Sequence, residues 1–583
     1  MTDQTAAGLS ESEVRAQRAQ IARELLAARQ LRPATIWAIT GAAAVVLLGH
    51  FCLYEGLPAN ILFTAATTAG IAAAFVLATR RVLVATAVTF GLVALIVGIS
   101  RAKLETVGMV LHAYDFIFYL GSWSTVTYLW HGAQMYVLAL GGAVLLFGLA
   151  VWLAWRFDST RIYRRHAAAA IAVSVSLALA GAQAKGDRPH TLFYWEALYV
   201  SSFFSSWSET LETLWRGQIV EASPLSSGRP FATPTSCHPL KKPPHIVLIH
   251  QESIVQPSLF PSLGHDRKLD DFFTSADGKL HRMRVETYGG ASWLTEFSIL
   301  AGMSTQSFGG MRHFVQSILA GKVRETVPEV LARCGYRNVL FYPMLKNFVS
   351  NARFYETIGL REIFDLRTQK ARGVHERDRF YYTNALDEME RHIRTQDKPL
   401  FTYIQTMSAH WPYSEPFHPE INVAGGGPGT HPEMHEYLRR VGIAKMDYDY
   451  LKSELKRRFP DEPILIMHYG DHHPMATRML LGYGENNEVE DIHLGMGSLG
   501  MITYYVVDAL NYKLSTLPQH DTLDVAYLGA VLLEQAGIPL PEAWRERLRL
   551  MAACEGRYYD CKRRSDILAF HRRLLDSGQM EAR

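Results

Sequence analysis

Between Thr35 and Ala184 the chain carries five stretches in which Ala, Val, Leu, Ile, Phe and Gly displace charge: Thr35–Tyr54, Ala59–Thr79, Val82–Ser100, Gln134–Trp155 and Ala167–Ala184. Each approaches the roughly 20 apolar residues with which a helix crosses a bilayer. Backbone amides inside lipid must be paired within the segment, so helices are the form such stretches take. The fifth, rich in Ala and Ser, is the least apolar of the set. The chain has 583 residues, and the part beyond Lys185 has the mixed composition of a soluble domain. Several domains are therefore expected.

Loop charges set an orientation. The tail before the first span carries Arg15, Arg18, Arg23, Arg29 and Arg32; Arg80 and Arg81 separate the second and third spans; Arg156, Arg161, Arg164 and Arg165 lie between the fourth and fifth. The loop after the first span has no Lys or Arg, and the loop after the third has only Arg101 and Lys103. The arrangement predicts a cytoplasmic tail over 1–34, a five-helix membrane domain over 35–185, a juxtamembrane connector and Pro-rich linker over 186–243, and an extracytoplasmic domain over 244–583. The expected location is a bacterial inner (cytoplasmic) membrane, with the last domain periplasmic or extracellular. No cleavable signal pattern precedes the first apolar run; Ser10–Gln30 reads instead as a short cytoplasmic helix.

Other features carry less. The formal net charge of +3 and the Arg-bearing loops give no case for nucleic acid as a partner. His50, His112 and His131 lie in or beside spans and read as interfacial, and His112–Leu120 is an aromatic, amphipathic stretch suited to a membrane surface. Thr191–Trp215 alternates aromatic and polar residues, as interfacial connectors do. Five spans without an internal repeat argue against a transporter.

From Pro244 onward about 340 residues remain, enough for one large core. Short apolar runs (VLIHQ, RMRVET, VLFYP, FTYIQ, ILIMH) alternate with helical segments such as Asn384–Thr395 and Ala444–Arg458. That alternation predicts an α/β domain with a mainly parallel sheet covered on both faces. Two of the runs end on polar residues. His245–Ser253, HIVLIHQES, stops at Glu252, and Ile464–Pro474, ILIMHYGDHHP, stops at Asp471 and His472. Ligands of open α/β sheets bind at the carboxyl ends of the strands, so these residues would emerge together. Either stretch alone is as well explained by polar strand caps; the two together, offering two carboxylates and an imidazole, suit a divalent metal.

Between them, Thr287–Gly302 reads TYGGASWLTEFSILAG, with a Gly-Gly pair ahead of Ser292 and a helical segment after it. The glycines permit a tight turn and close approach to a ligand, and a helix N-terminus favours phosphate. A serine there whose oxygen meets a metal can act as a nucleophile. The plainer alternative is that Ser292 is an N-cap, a position Ser favours.

These pieces resemble the alkaline phosphatase/sulfatase superfamily, and within it the membrane-bound branch of bacterial phosphoglycerol transferases and lipoteichoic-acid synthases, with phosphoethanolamine transferases as cousins. The resemblance implies a sulfatase-like fold and one divalent ion (manganese first, magnesium or zinc as alternatives) held by Glu252, Ser292, Asp471 and His472. The hydroxyl nucleophile of that pattern stands four residues before a Glu-Phe pair; Glu296 and Phe297 put Ser292 there and leave Thr295 as the lesser candidate. In Met407–Tyr413, MSAHWPY, the resemblance makes His410 a catalytic residue that also touches substrate, with Trp411 beside it. Lys346 and Arg353 in Leu340–Gly359, together with His473, complete the implied substrate contacts. Tyr342 stands where relatives can carry His, and the spacing from Lys346 to Arg353 is longer, so the headgroup stays open. Sulfatases proper carry a C/S-x-P-x-R motif, absent where this chain reads SWLTE.

The implied activity is transfer of phosphoglycerol from a phospholipid, phosphatidylglycerol, to an envelope glycan or lipid acceptor through a phosphoserine-type intermediate. Phosphatidylethanolamine as donor, making the chain a phosphoethanolamine transferase, is one alternative. A membrane-anchored sensor or assembly protein with a degenerate hydrolase domain is another, although none of the four matched metal positions is lost. Of the five cysteines, Cys52 falls in the first span; Cys554 and Cys561 are near enough to close a small loop, and a bridge between Cys237 and Cys334 is a further option where disulfides persist.

Overall fold

The computed structural model describes residues 30–107, 109–118, 129–130, 134–185, 198–217, 219–226, 228–239, 242–346, 348, 351–487, 492 and 494–581, together with Arg15. His131, and the expected cytoplasmic helix apart from Arg15 and Gln30, lie outside the described residues. Two compact units emerge, one drawn from residues 1–113, 129–189 and 193–208, the other from 114–128, 190–192 and 209–583.

The first unit is helical. Its helices α1 (Pro33–Tyr54), α2 (Pro58–Thr79), α3 (Val82–Val107), α4 (Gln134–Phe157) and α5 (Arg164–Lys185) coincide with the five apolar stretches, and each is long and apolar enough to cross a membrane. Proline opens α1 and α2, where its missing N–H is no loss. The first amides of α3 are capped by the turn after α4: Leu83 and Val84 N–H donate to Asp158 Oδ2 at 2.7 and 3.2 Å, and Val82 N–H donates to Thr160 Oγ1 at 2.8 Å. Small residues bring α2 and α5 together; a Cβ on Gly181 would sit 2.8 Å from the Phe63 nitrogen, and one on Gly70 3.3 Å from Ser174 Cβ. Helix α6 (Tyr199–Arg216) comes next, within the stretch expected as a connector. Its first turn is capped by Glu55, whose two oxygens accept from Val200 N–H at 2.9 Å and Ser201 N–H at 3.0 Å. Helix α3 runs past Ser100 because the residues after it, Arg101 to Val107, continue as turns that a hydropathy reading ends early.

The second unit holds an eight-stranded sheet in the order β4-β3-β5-β1-β6-β7-β2-β8. The strands are β1 (His245–Gln251), β2 (His281–Arg284), β3 (Arg337–Phe341), β4 (Glu362–Phe364), β5 (Leu400–Gln405), β6 (Ile464–Gly470), β7 (Ile502–Leu510) and β8 (Leu523–Asp524). All neighbours pair in parallel except around β7, which runs antiparallel to both β6 and β2. The sheet is therefore mainly parallel, as the sequence implied, with one reversed strand inserted. Strands β1, β5 and β6 are buried along their whole length, as continuous apolar runs in a covered parallel sheet should be. Helices α8 (Asp378–Thr395) and α9 (Pro432–Arg458) pack on this centre: Tyr381, Leu386, Leu438 and Leu451 share a core with Val247, Ile249 and Ile466. Both helices begin well before the segments picked from the sequence. Disulfides join Cys237 to Cys334 and Cys554 to Cys561, while Cys52 is free.

Candidate metal centre and nucleophile

The register of β1 on β6 builds the site. Gln251 is paired with Gly470, so the next residues, Glu252 and Asp471, leave two adjacent parallel strands side by side at their carboxyl ends. The chain then turns tightly over β6: Ser253 adopts a left-handed conformation, φ 57°, and a Cβ on Gly470 would lie 1.9 Å from the Ile254 carbonyl oxygen. Only glycine fits beneath that turn. The turn is tied back by Ser253, whose N–H donates to Asp471 Oδ1 at 2.8 Å and whose hydroxyl donates to Glu252 Oε1 at 2.8 Å.

A second turn brings in the hydroxyl. Gly289 and Ala291 are both left-handed (φ 71° and 63°), and Gly289 N–H donates to the His473 carbonyl at 3.0 Å, which ties this turn to the end of β6. Helix α7 (Ser292–Ala301) starts there with Ala291 as its N-cap. Ser292 is therefore the first helical residue rather than a cap, so the plain capping role is not the one it fills. It is half-buried, while the remainder of α7 is buried. Its hydroxyl donates to Glu252 Oε2 at 3.0 Å and lies 3.4 Å from His472 Nε2. Thr295, the rival hydroxyl, is wholly buried and donates to the Asp471 carbonyl at 2.8 Å, which gives it a structural partner.

Four predicted residues thus converge. His472 Nε2 stands 3.3 Å from Glu252 Oε1 and 3.2 Å from Asp471 Oδ2, its ring aimed by an Nδ1 contact of 2.9 Å with the His473 carbonyl. A residue that sequence reasoning passed over joins them: His250 Nε2 is 3.1 Å from Asp471 Oδ2 and 3.6 Å from Glu252 Oε2. His250, Glu252 and Asp471 can each offer a ligand atom within 4.8 Å of the others. Asp471 Oδ2 nevertheless accepts no hydrogen bond, although it is buried. Buried carboxylate oxygens without partners are costly, and donor atoms that converge without hydrogen-bond geometry are what a cation would satisfy. The donor set fits a divalent ion.

Electrostatics agree. Burial drives the His250 imidazolium down, but the facing carboxylates, Asp471 first and then Glu252 and Glu296, outweigh it and push the group up to about 10. His472 is likewise lowered by burial and raised to about 9 overall by Asp471 and Glu252. Burial raises Glu252, yet the adjacent His250 and His472 imidazoles and the charge of His410 hold it well below the usual carboxylate range. The pocket is built to hold positive charge.

The expected substrate residues divide. His410 follows β5 in a half-exposed loop and feels Glu252 electrostatically. That loop is anchored by Asp378 Oδ1, which accepts from Met407 N–H at 3.1 Å and Ser408 N–H at 2.9 Å, and by Arg440, which donates to the His410 carbonyl at 2.7 Å. His375, unmarked by any sequence motif, places its ring centroid 5.2 Å from that of His410. Trp411 is 55% exposed; Lys346 and Arg353 are exposed, Arg353 on a short helix, Asn351–Thr357. His473 departs from expectation. It is fully buried, its Nε2 is 2.7 Å from the Ile502 carbonyl and its Nδ1 3.2 Å from Thr477 Oγ1. Both ring nitrogens are thus engaged within the fold, where the residue braces the end of β6.

Residues 282–495 match the Sulfatase family model. A curated relative, an uncharacterised protein of Haemophilus influenzae, is 23% identical over 304 residues, half of this chain and 51% of that protein; the chain spans about half the length of the relative it matches. Among solved structures, the phosphoglycerol transferase GacH of Streptococcus pyogenes, in complex with sn-glycerol-1-phosphate, is 18% identical and covers 58% of this chain and 85% of its own, TM-score 0.44. The lipoteichoic acid synthase LtaP of Listeria monocytogenes is 16% identical over 51% of this chain and 72% of its own, TM-score 0.39. The integral membrane lipooligosaccharide phosphoethanolamine transferase A of Neisseria meningitidis is 13% identical, covering 87% of this chain and 98% of its own, TM-score 0.48.

Proposed function

We propose that this chain, which carries a Sulfatase-family domain behind five apolar helices, is a metal-dependent phosphotransferase that moves phosphoglycerol from phosphatidylglycerol to an envelope glycan or lipid. The observation that carries the reading is the half-exposed Ser292 hydroxyl, first in a helix and 3.0 Å from Glu252 within a buried set of carboxylates and imidazoles. Glu252, Ser292, Asp471 and His472 would hold the ion, which when bound lowers the pKa of the serine hydroxyl and neutralises charge on phosphate oxygens.

Ser292 Oγ attacks the donor phosphorus in line. The bond from phosphorus to the diacylglycerol oxygen breaks, and that oxygen leaves with a proton as diacylglycerol. A phosphoglycerol ester of Ser292 remains, and the N-terminus of α7 favours its negative charge. An acceptor hydroxyl then attacks the phosphorus, gives up its proton and displaces Ser292, which recovers one. His410 is the residue assigned to these proton transfers and to phosphate positioning, with Trp411, Lys346 and Arg353 as candidate substrate contacts. Residence among membrane spans suits a donor that lives in the bilayer, and the two disulfides suit an extracytoplasmic compartment. The test is diacylglycerol release by the purified full chain from vesicles containing phosphatidylglycerol or phosphatidylethanolamine. Release from phosphatidylglycerol, lost in Ser292→Ala, is expected; release from phosphatidylethanolamine alone would make the chain a phosphoethanolamine transferase, and release from neither would favour the degenerate-domain alternative.

A further inference from the structure

We propose that His250 is an additional protein ligand of the ion at Glu252, Ser292, Asp471 and His472, and that this second imidazole turns the site's preference toward zinc. The proposal rests on the metal reading above and specifies its coordination and its metal. Residues two apart on a strand share a face, so His250 on β1 points to the same side as the strand-end Glu252 beyond it. The pairing of His250 with Tyr469 on β6 sets it directly behind Asp471.

Both ring nitrogens then have distinct surroundings. Nδ1 is 3.2 Å from the Tyr469 hydroxyl, which is itself 2.8 Å from the Tyr403 hydroxyl, and Glu296 Oε1 lies 3.9 Å away on that side. An Nδ1–H turned to this polar group leaves the Nε2 lone pair facing the carboxylates, the arrangement in which an outer hydrogen bond fixes the tautomer of a metal-binding histidine. A plain hydrogen-bonding histidine would instead donate from Nε2 to Asp471. That oxygen, 3.1 Å from His250 Nε2 and 3.2 Å from His472 Nε2, receives no hydrogen bond from either. Two imidazole nitrogens and one carboxylate oxygen thus surround a common point. Oxygen-only sets suit magnesium and manganese, whereas imidazole nitrogen suits zinc.

The experiment uses the full chain in detergent, loaded with zinc. X-ray absorption fine structure counts the imidazoles bound to the metal, and competition titration compares zinc with manganese. Two imidazoles are expected in the unaltered protein and one in each of His250→Gln and His472→Gln, with zinc affinity falling at least about tenfold in His250→Gln and the zinc-over-manganese ratio falling with it. A count of one in the unaltered protein overturns the proposal, whether or not the variants fold. So does a His250→Gln protein with unchanged count and affinity. Asp471→Ala separates the two layers: if it keeps full zinc content, the metal site itself is wrong, whereas if it loses zinc while His250→Gln does not, only the role of His250 fails.

Discussion

Asp378 gives the sharpest test of the packing behind His410. It is fully buried and, through Oδ1, accepts the Met407 and Ser408 amides, while Oδ2 has no hydrogen-bond partner. Burial and the nearby Asp447 charge raise its carboxyl to about 7. An unfolded chain ionises the same group near 3.9. The folded state therefore binds the proton more tightly, so this group's contribution to stability is full at acid pH, declines as pH rises above the unfolded value and levels off above about 7. Each unit of difference is worth about 1.4 kcal/mol, so between pH 5 and 8 the loss is about 3 kcal/mol. Asp378→Asn keeps an oxygen for both amides and offers an amide where Oδ2 stood, but cannot ionise. The melting temperature of Asp378→Asn minus that of the unaltered protein should rise by about 4 °C between pH 5 and 8 for a domain of this size. Thermal melts of the full chain in detergent across that range measure the difference. A difference independent of pH would mean that Asp378 is already ionised when folded, against a carboxyl raised to about 7.

Gly470→Ala should open the turn over β6, since the added carbon would meet the Ile254 carbonyl oxygen; metal content of the purified variant is expected to fall at least about tenfold, and full content would dismiss the turn as a support. Breaking the Cys237–Cys334 bridge, which closes a loop of 97 residues, should destabilise the domain by about 4–5 kcal/mol on the loop-entropy account, read as a lower denaturant midpoint in Cys237→Ser/Cys334→Ser. Thr295→Val should leave transfer chemistry in place but lower stability by about 1–3 kcal/mol, because the Asp471 carbonyl loses its donor; abolition of transfer in a folded variant would return Thr295 as nucleophile. A reporter that is active only outside the cytoplasm, fused just after Lys185, should be active; silence would contradict the five-span orientation.

The strand ends were legible in sequence because an apolar run that stops at Glu252, or at Asp471 and His472, shows the change from buried strand to polar turn. The position of the candidate nucleophile, Ser292, is legible because Gly289 and Gly290 announce a turn that other residues resist. Register was not legible. His250 sits inside an apolar strand and reads as a core residue; its chemistry appears only when β1 is laid against β6 and its ring meets Asp471. The surroundings of His473 are hidden for the same reason: adjacency to His472 in sequence does not reveal that its ring turns into the body toward Ile502. Strands β4 and β8, of three and two residues, are too short to carry a period. The antiparallel β7 between β6 and β2 is fixed by long-range pairing that composition does not encode. The start of α9 is hidden in the sequence because its first half carries Glu436, Arg439 and Arg440, which look solvated but are buried in an ion-paired cluster.

The most direct measurement is the mass of the Ser292 peptide from full-length protein quenched during turnover on phosphatidylglycerol vesicles without acceptor. A peptide heavier by one phosphoglycerol group on Ser292 is expected, with that added mass absent in Ser292→Ala and after removal of divalent ions. An unmodified Ser292 peptide from protein that is releasing diacylglycerol would contradict a covalent intermediate on Ser292.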